Sequence, residues 1–478
     1  MSGSLPPSTR HLLDRFSFGV TDELAADARA RGADRWFESQ LARSGTESLT
    51  AQLIPLWFPL LRNLPQVNWA TSITGVRSAG TQGRELVGYN FARRIHSRHQ
   101  VYESMVDFWS NLLYVPIAED RSFPYRADFE FTAIRPHALG TYRAMLKAAI
   151  KHPAMTLFLT NDLNHKGGIN ENLGRELLEL HTVGRRYSER DVLNASRMLT
   201  GYTVDLSRDY NAAYDANRHH TGTIKVLGFR HDNRARDGRA ALDAMLDYLA
   251  RHPFTARRIA ERLCTRFVSD DPPEPIVQAV ARAYRSSGTD IRATLRALVR
   301  HPGFQKSRGA KVWTPGDDVV RTARVMGLQP QGALLGDDAF IGRLITTARD
   351  MGHVPLTWPR PDGWPETSSD YLSATRVLRS WHHHYALAAT RSDLFRNVIV
   401  ARKSTQLPTS WPRTLSEVVQ HQSQRLIGRP ATRELIATVA SAVGRSTSHR
   451  YGSAAAVSDR DYQIIRGTVL NSPAGFVR

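Results

Sequence analysis

Along this chain, apolar positions recur every third or fourth residue in one segment after another, the period of an amphipathic helix. In DELAADARARGADRWFESQLAR (residues 22–43), Leu24, Ala28, Trp36, Phe37 and Leu41 keep that spacing, and Gly32 breaks the run into two helices. The same pattern predicts a longer helix over SRHQVYESMVDFWSNLLYV (97–115). It predicts another over PHALGTYRAMLKAAIKH (136–152), with Pro136 in the first turn and a stop before Pro153. Ser188 is placed to cap SERDVLNASRMLTGY, and four further helices follow from GRAALDAMLDYLARH to DIRATLRALVRH. Strand-like alternation is confined to TGTIKVLGF (221–229), one short hairpin inside a polar, tyrosine-rich stretch from about 203 to 238. The fold class expected is all-α: a large multi-helix orthogonal or bundle-like array with long loops and at most a small β-hairpin.

Between helices the pair His-Pro recurs at His152, His252 and His301. It reads as an αα-corner, with proline opening the next helix and histidine near the negative end of the last. The unequal spacings exclude a solenoid repeat. From about residue 355 the chain becomes rich in proline and tryptophan, PLTWPRPDGWPETSSDYLSATRVLRSW, as in a packed loop crossing the edge of the core. With 478 residues, the chain is too long for one simple core. We expect a helical core over residues 1–390 and a C-terminal helical extension, 391–478, packed on it.

Composition narrows the class. Hydrophobic residues at 41% and charged residues at 23% describe an ordinary globular protein. No run is apolar for the length of a membrane span, and the amino terminus lacks a basic region followed by an apolar stretch. The sequence as written therefore reads as soluble and cytoplasmic, with export of a longer precursor as the alternative. The single cysteine, Cys264, rules out an intramolecular disulfide and a cysteine-based zinc site, and its helical spacing with leucine and phenylalanine marks it as a small buried hydrophobe. The net charge of +19 invites an acidic partner: nucleic acid, an anionic glycan or a lipid surface. However, 57 of the 64 basic residues are arginine, a bias that a GC-rich coding genome produces on its own, and no compact basic run sharpens the case. Phosphate-binding glycine loops, nucleophile elbows and dinucleotide fingerprints are missing from the sequence.

The densest chemistry lies in GGINENLGRELLELHTVG (167–184). On a helix with Asn172 at zero, Glu176 falls at roughly 40°, Glu179 at roughly 340° and Arg175 at roughly 300°, while the leucines occupy roughly 80° to 240°. That stripe is either the solvated side of an amphipathic helix or, if buried, a carboxylate pair whose members raise each other's proton affinity for acid–base work. His181 falls at roughly 180°, inside the leucine arc, where it needs a hydrogen-bonding partner. Asn170 or Glu171, directly after two glycines, is placed to cap the helix.

NENLGRELLELHTVG followed by YSERDVLNASRMLTGYTVD resembles the central signature of the bacterial family called domain of unknown function 1800. RHLLDRFSFG, MVDFWSNLLYV, AIRPHALGTYRAMLKAAIKHPAMTLFL, RHHTGTIKVLG, KVWTPGDDVVRTARVMG and DGWPETSSDYLSATRVL agree in order, so that the resemblance spans about residues 10 to 390. It implies a largely helical protein of a family often exported and encoded beside sulfatase-like proteins, with no assigned activity. The family's recurring polar positions correspond here to Arg135, His137, Asn170, Glu171, Asn172, Arg175, Glu176, Glu179 and His181. Where members commonly carry histidines, this chain has Ser110 and Leu112. We therefore expect no cofactor and no metal ligands, a divalent metal being weakened by that departure.

Three further groups complete the candidate site. Asp107, Trp109 and Asn111 in DFWSN are placed to face the same cavity as the glutamate helix. Arg135 and His137 in IRPHALG stand at an expected helix start that suits an anionic group. His220 and Lys225 in RHHTGTIK suit an anion as well. The expected function is a hydrolase or lyase with Glu176 and Glu179 as general acid and base and His181 or His137 orienting one of them. Arg135, Arg175, Asn170, Glu171, Asn172, Asp107, Trp109, Asn111, His220 and Lys225 would bind an acidic or sulfated glycan, a substrate class drawn from the basic charge and the family's sulfatase-like neighbours. The alternatives are a non-catalytic polyanion or nucleic-acid binding protein and a structural partner of a sulfatase-like protein.

Overall fold

Capping chemistry sets most helix boundaries in the computed structural model, which describes residues 5–332, 339–389 and 397–478. Gly32 ends one helix, Asp22–Arg31, and starts the next, Ala33–Leu41, as the broken pattern predicts. Ser188 and Asp191 exchange hydrogen bonds in a capping box at the head of Glu189–Met198. At each His-Pro corner the proline opens a helix and the histidine caps it. His152, His252 and His301 accept at Nδ1 from the backbone N–H two residues on, at 3.1, 3.2 and 3.1 Å. A ring that accepts at Nδ1 carries no proton on that atom, and burial lowers the proton affinity of His152 and His252.

Two helices differ from their sequence pattern. The segment expected to begin at Pro136 is helical only over Tyr142–Ile150, where Thr141 accepts from the Ala144 N–H. Thr141 supplies the capping oxygen that Pro136 lacks, so Arg135–His137 remains a short 3-10 turn behind a π turn, Glu130–Ile134. The acidic segment is α-helical only over Asn172–Glu176 and then widens into a π turn, Leu177–His181. The Thr182 hydroxyl donates to the Leu177 carbonyl at 2.7 Å, and Gly184 N–H reaches the Leu178 carbonyl, which closes the wider turn.

Among the described residues there are 25 α-helices and four two-stranded antiparallel sheets, so the fold is all-α with minor hairpins. The expected hairpin pairs Ile224–Val226 with Phe229–His231. Tyr202–Val204 with Ala212–Tyr214, Leu328–Pro330 with Val398–Val400, and Arg413–Thr414 with Arg450–Tyr451 are additional. Strands of two or three residues are too short to show alternation, which is why the pattern misses them.

Two apolar clusters divide the interior. One gathers residues between Leu12 and Phe304, including Trp36, Trp109, Leu178 and Phe267. The other joins Phe18 and the Ala79–His96 helix to the chain from Val319 onward, so that the C-terminal helices pack on Val320, Ile341 and Leu344. All twelve residues of Pro315–Met326 are buried, Asp317, Asp318, Arg321 and Arg324 among them. Buried arginines also satisfy helix-end carbonyls: Arg321 donates to Leu426, Arg466 to Met326 and Arg324 to Arg94.

The acidic segment crosses the Glu189–Met198 helix at Gly174. A Cβ there would stand 2.9 Å from the Ser196 backbone nitrogen and closer still to its hydroxyl. We predict that Gly174→Ala lowers unfolding stability by about 1–3 kcal/mol, the usual cost of overpacking. Denaturant melting checks this, and an unchanged midpoint would show that the two helices separate freely.

Candidate functional site

The acidic segment turns outward. Asn172 is exposed and Glu171, Arg175, Glu176 and Glu179 are half-buried. Arg175 is fully engaged, gripping Glu189 at 2.9 and 2.7 Å and Glu171 at 3.3 Å. Asn170 accepts from the Asn172 N–H and donates to Thr160, which shapes the lead-in turn. Glu179 accepts from the Tyr187 hydroxyl at 2.6 Å and from Arg185 at 3.0 Å, and these bonds hold its carboxyl below the usual range. Glu176 has no hydrogen bond or ion pair among the described residues. Partial burial, then Glu179 and Asp362, raise its proton affinity. The two glutamates thus titrate apart, but Glu179 is occupied by its neighbours.

His181 cannot orient either glutamate. It is fully buried among the leucines, Nδ1 donates to the Leu112 carbonyl at 3.2 Å, Nε2 has no partner, and burial lowers its pKa to about 4. His137 sits half-buried on the 3-10 turn, away from any helix N-terminus, with its pKa lowered by burial. Trp109 belongs to the core, where its indole donates to the Ala138 carbonyl at 3.0 Å and its ring packs against Tyr142. His220 is half-buried and Lys225 exposed on the 224–231 hairpin; the His220 N–H donates to Thr200, and the Lys225 and His220 carbonyls accept from Asn194 and Asn233. The expected convergence of all these groups on one hollow does not occur.

Asp107 and Asn111 do line a cavity, and it lies where the two apolar clusters meet. Arg266, Thr314, His353, Leu356, Trp364, Glu366 and Tyr371 complete its walls. Asp107, with 17% of its side chain exposed, is held by Arg94 and by Arg266 at 2.6 Å. Arg266 also reaches Asp317 and Glu366, each at 3.2 Å. Asp317 further faces Arg94 and Arg478, both at 3.5 Å. Asn111 clamps the tryptophan loop: its amide donates to the Trp364 carbonyl at 2.8 Å and to Glu366 at 3.2 Å, and its carbonyl oxygen accepts from the Trp364 N–H at 2.8 Å. His353 accepts from the Gly316 N–H at 3.1 Å and packs edge-on against Trp364 and Tyr371.

A second cavity adjoins the first through Asp107 and Leu356, lined also by Asn90, Arg94, Glu103, Ser110 and Glu130. Here Arg135 finds its role as the partner of Glu103 at 3.0 Å and of Asn90 at 2.7 Å. Ser110 donates to Glu130 at 2.9 Å, and Leu112 is core. No group of three or more metal-ligating side chains is found among the described residues.

Charge and burial oppose each other throughout. Burial disfavours the charge on Asp317, yet Arg266, Arg478 and Arg94 together hold its carboxyl below the usual range. Glu366 and Glu103 behave alike, Glu366 under Arg266, Arg262 and Lys311 and Glu103 under Arg135 and Arg93. On Asp107 burial prevails over Arg94 and Arg266, with Asp317 and Glu366 adding to it, so its proton affinity rises. Burial takes His353 down to about 3, a neutral imidazole at physiological pH. The cavity therefore combines an acid of raised pKa, a neutral imidazole and an amide.

Arg266, Asp317, Glu366 and His353 escape a reading by local pattern. One signal was present: Arg266 lies between Cys264 and Phe267 on the apolar face of its helix, where an unpaired charge is untenable.

This fold and site define a helical protein built around a buried carboxylate–guanidinium network with a polar cavity on its seam. The chain belongs to the family described as protein of unknown function DUF1800, whose model matches residues 11–475. No curated protein and no solved structure matches it.

Removing the guanidinium of Arg266 leaves Asp107, Asp317 and Glu366 without their shared cation. We predict that Arg266→Met costs about 3–5 kcal/mol of stability, as for other broken buried ion networks. A melting temperature equal to that of the wild type would refute that role. Acid sensitivity follows separately from His11, His181 and His383, each lowered to about 4, and His353, lowered to about 3. Because the unfolded chain takes up these protons near pH 6.5 and the folded chain does not, stability should fall as pH drops from about 6.5 to 4. Chemical denaturation across that range would show a flat profile if these rings were protonated in the fold.

Proposed function

We propose that this protein is a carboxylate-dependent hydrolase or lyase acting on an acidic or sulfated glycan, with proton transfer centred on Asp107 rather than on Glu176 and Glu179. The observation that carries the reading is the raised proton affinity of Asp107 in a cavity shared with neutral His353 and Asn111. A carboxylic acid of raised proton affinity can both give and take a proton. The tryptophan loop supports the substrate class. Trp358 and Trp364 stand 4.6 Å apart, and the Arg360 guanidinium lies 4.9 Å over the Trp358 ring. Flat aromatic faces suit the C–H face of a sugar ring, and a guanidinium suits a carboxylate or sulfate. Arg360 is now paired with Asp362 at 3.2 Å, so an anionic sugar would displace a carboxylate of the same loop.

The cavity is narrow, with about 20 Å³ of space, room for a water rather than for a sugar ring. In this reading the sugar ring rests on the tryptophans and only a substituent reaches Asp107. The buried arginines do not favour simple polyanion binding, since Arg94, Arg266 and Arg478 already face Asp107, Asp317 and Glu366.

Turnover on a panel of uronic-acid and sulfated polysaccharides tests the proposal. Asp107→Asn should lose at least about 10²-fold in kcat while folding is retained, the usual scale for a general acid or base. Trp358→Ala should raise KM more than it lowers kcat. Glu179→Gln should leave turnover near the wild-type level, because Tyr187 and Arg185 occupy that carboxylate. If Asp107→Asn turns over normally and Glu176→Gln does not, the chemistry belongs to the acidic segment and this assignment is wrong.

A further inference from the structure

Large apolar side chains exposed to solvent are not spread evenly. Of the twelve found among the described residues, seven lie between residues 49 and 76: Leu49, Leu53, Leu56, Leu64, Val67, Ile73 and Val76. Leu49, Leu53 and Leu56 follow each other at helical spacing on Leu49–Trp57, with 72%, 41% and 59% of their surface free. Leu64 and Val67 open the next helix, Pro65–Ile73, and Ile73 closes it. The first helix packs on Ala79–His96 and buries Ile54, whereas the second packs on Ala79–His96 and on Phe123–Phe129, where Asn68 donates to the Pro124 carbonyl. Scattered surface apolar residues are ordinary, but five on these two helices and two more directly flanking the second, Leu64 and Val76, mark an interaction surface.

Charge identifies the partner. From Ser48 to Arg84 the chain has no aspartate or glutamate, although the whole chain carries 45, and Arg62 and Arg77 are exposed within the stretch. Trp57 ends the first helix and Trp69 lies within the second, both half-buried, and indole rings of this partly exposed kind collect in membrane interfaces. An open groove beside the second helix, lined by Trp69, Ile73, Phe123, Leu206 and Tyr210 with Asp120 and Arg121 at its edge, extends the apolar surface. Exposed leucines, half-buried tryptophans and the exposed Arg62 and Arg77, with Asp120 at the groove's edge, give this surface the apolar and basic character of a peripheral lipid anchor. A protein partner of ordinary composition would not require acidic residues to be kept out of so long a segment. No helix among the described residues is long and apolar enough to cross a bilayer.

We infer that residues 49–77 form a docking face for an anionic lipid surface, on which the protein lies without spanning it. The test is co-sedimentation of the full chain with vesicles of phosphatidylcholine alone and of phosphatidylcholine with phosphatidylglycerol. The expected result is binding to the anionic vesicles, weakened by added salt, with little binding to neutral ones. Leu53→Glu combined with Leu56→Glu should reduce binding by about tenfold or more, since both side chains would enter the interface. Arg62→Glu combined with Arg77→Glu should abolish the preference for anionic lipid. All four positions are exposed, and circular dichroism confirms that the variants fold. Failure to bind anionic vesicles, or binding unaffected by the leucine changes, overturns the inference. So does a concentration-dependent dimer that the leucine changes dissolve, which would assign the face to a second copy of the chain. None of these readings depends on turnover, so they stand apart from the proposal for Asp107.

Discussion

A helix buried on every side must neutralise any charge it carries. Pro315–Met326 carries four: Asp317, Asp318, Arg321 and Arg324. Asp318 is met by His384 at 3.1 Å, Ser380 at 2.7 Å and Arg376 at 3.5 Å, and Asp317 by the guanidinium groups of Arg94, Arg266 and Arg478. Their partners come from the Ala79–His96, Pro253–Phe267 and Ala374–Ala388 helices and from the carboxyl terminus, so neutralising one helix fixes the places of the others. Isolated charges would each cost several kcal/mol at such depth, whereas paired ones set register between elements that apolar packing alone would let slide. The seam between the two apolar clusters is therefore the most constrained part of the molecule, and the candidate cavity is what remains open along it.

The tryptophan loop depends on that seam. Gly363 has φ of +71°, and a Cβ there would stand 2.8 Å from the Asn111 side-chain oxygen. Glycine permits both the turn and the close approach, which brings Trp364 within reach of Asn111 and Glu366 within reach of Arg266. Farther along the loop, Trp358 and Arg360 both bond Asp362. The same segment meets the acidic turn indirectly: His181 bonds the Leu112 carbonyl on one side, and Asn111 clamps the loop on the other.

Much of the fold could be read locally. Gly32, the Ser188 cap, the three His-Pro corners and the 224–231 hairpin all express interactions within a few residues, and the sequence pattern carries such interactions directly. Asp107 and Asn111 were recognisable as a polar pair on one helix. Their partners were not, because Arg266 lies 159 residues from Asp107 and 100 from Glu366. The acidic segment misled for a different reason. A projection at one fixed angle assumes an unbroken α-helix, and the π turn after Glu176 rotates Glu179 toward Tyr187 and Arg185. The half-buried acid–base pair expected there became a surface carboxylate with two donors and one lone glutamate.

The arginine excess also takes on a different meaning. Read as composition, 57 arginines suggest either genome bias or a polyanionic partner. Many of them are inside: Arg15, Arg94, Arg126, Arg266, Arg324, Arg376, Arg466 and Arg478 are all buried. Lysine could not replace them, because a single ammonium cannot serve Asp107, Asp317 and Glu366 from one position, as the planar fork of Arg266 does. Interior arginine paired with carboxylate already cancels within the net charge of +19, so the excess belongs to arginines and lysines without such a partner. What matters for recognition is local imbalance, and the long stretch free of acidic residues around the exposed leucines is where the sequence leaves positive charge uncompensated.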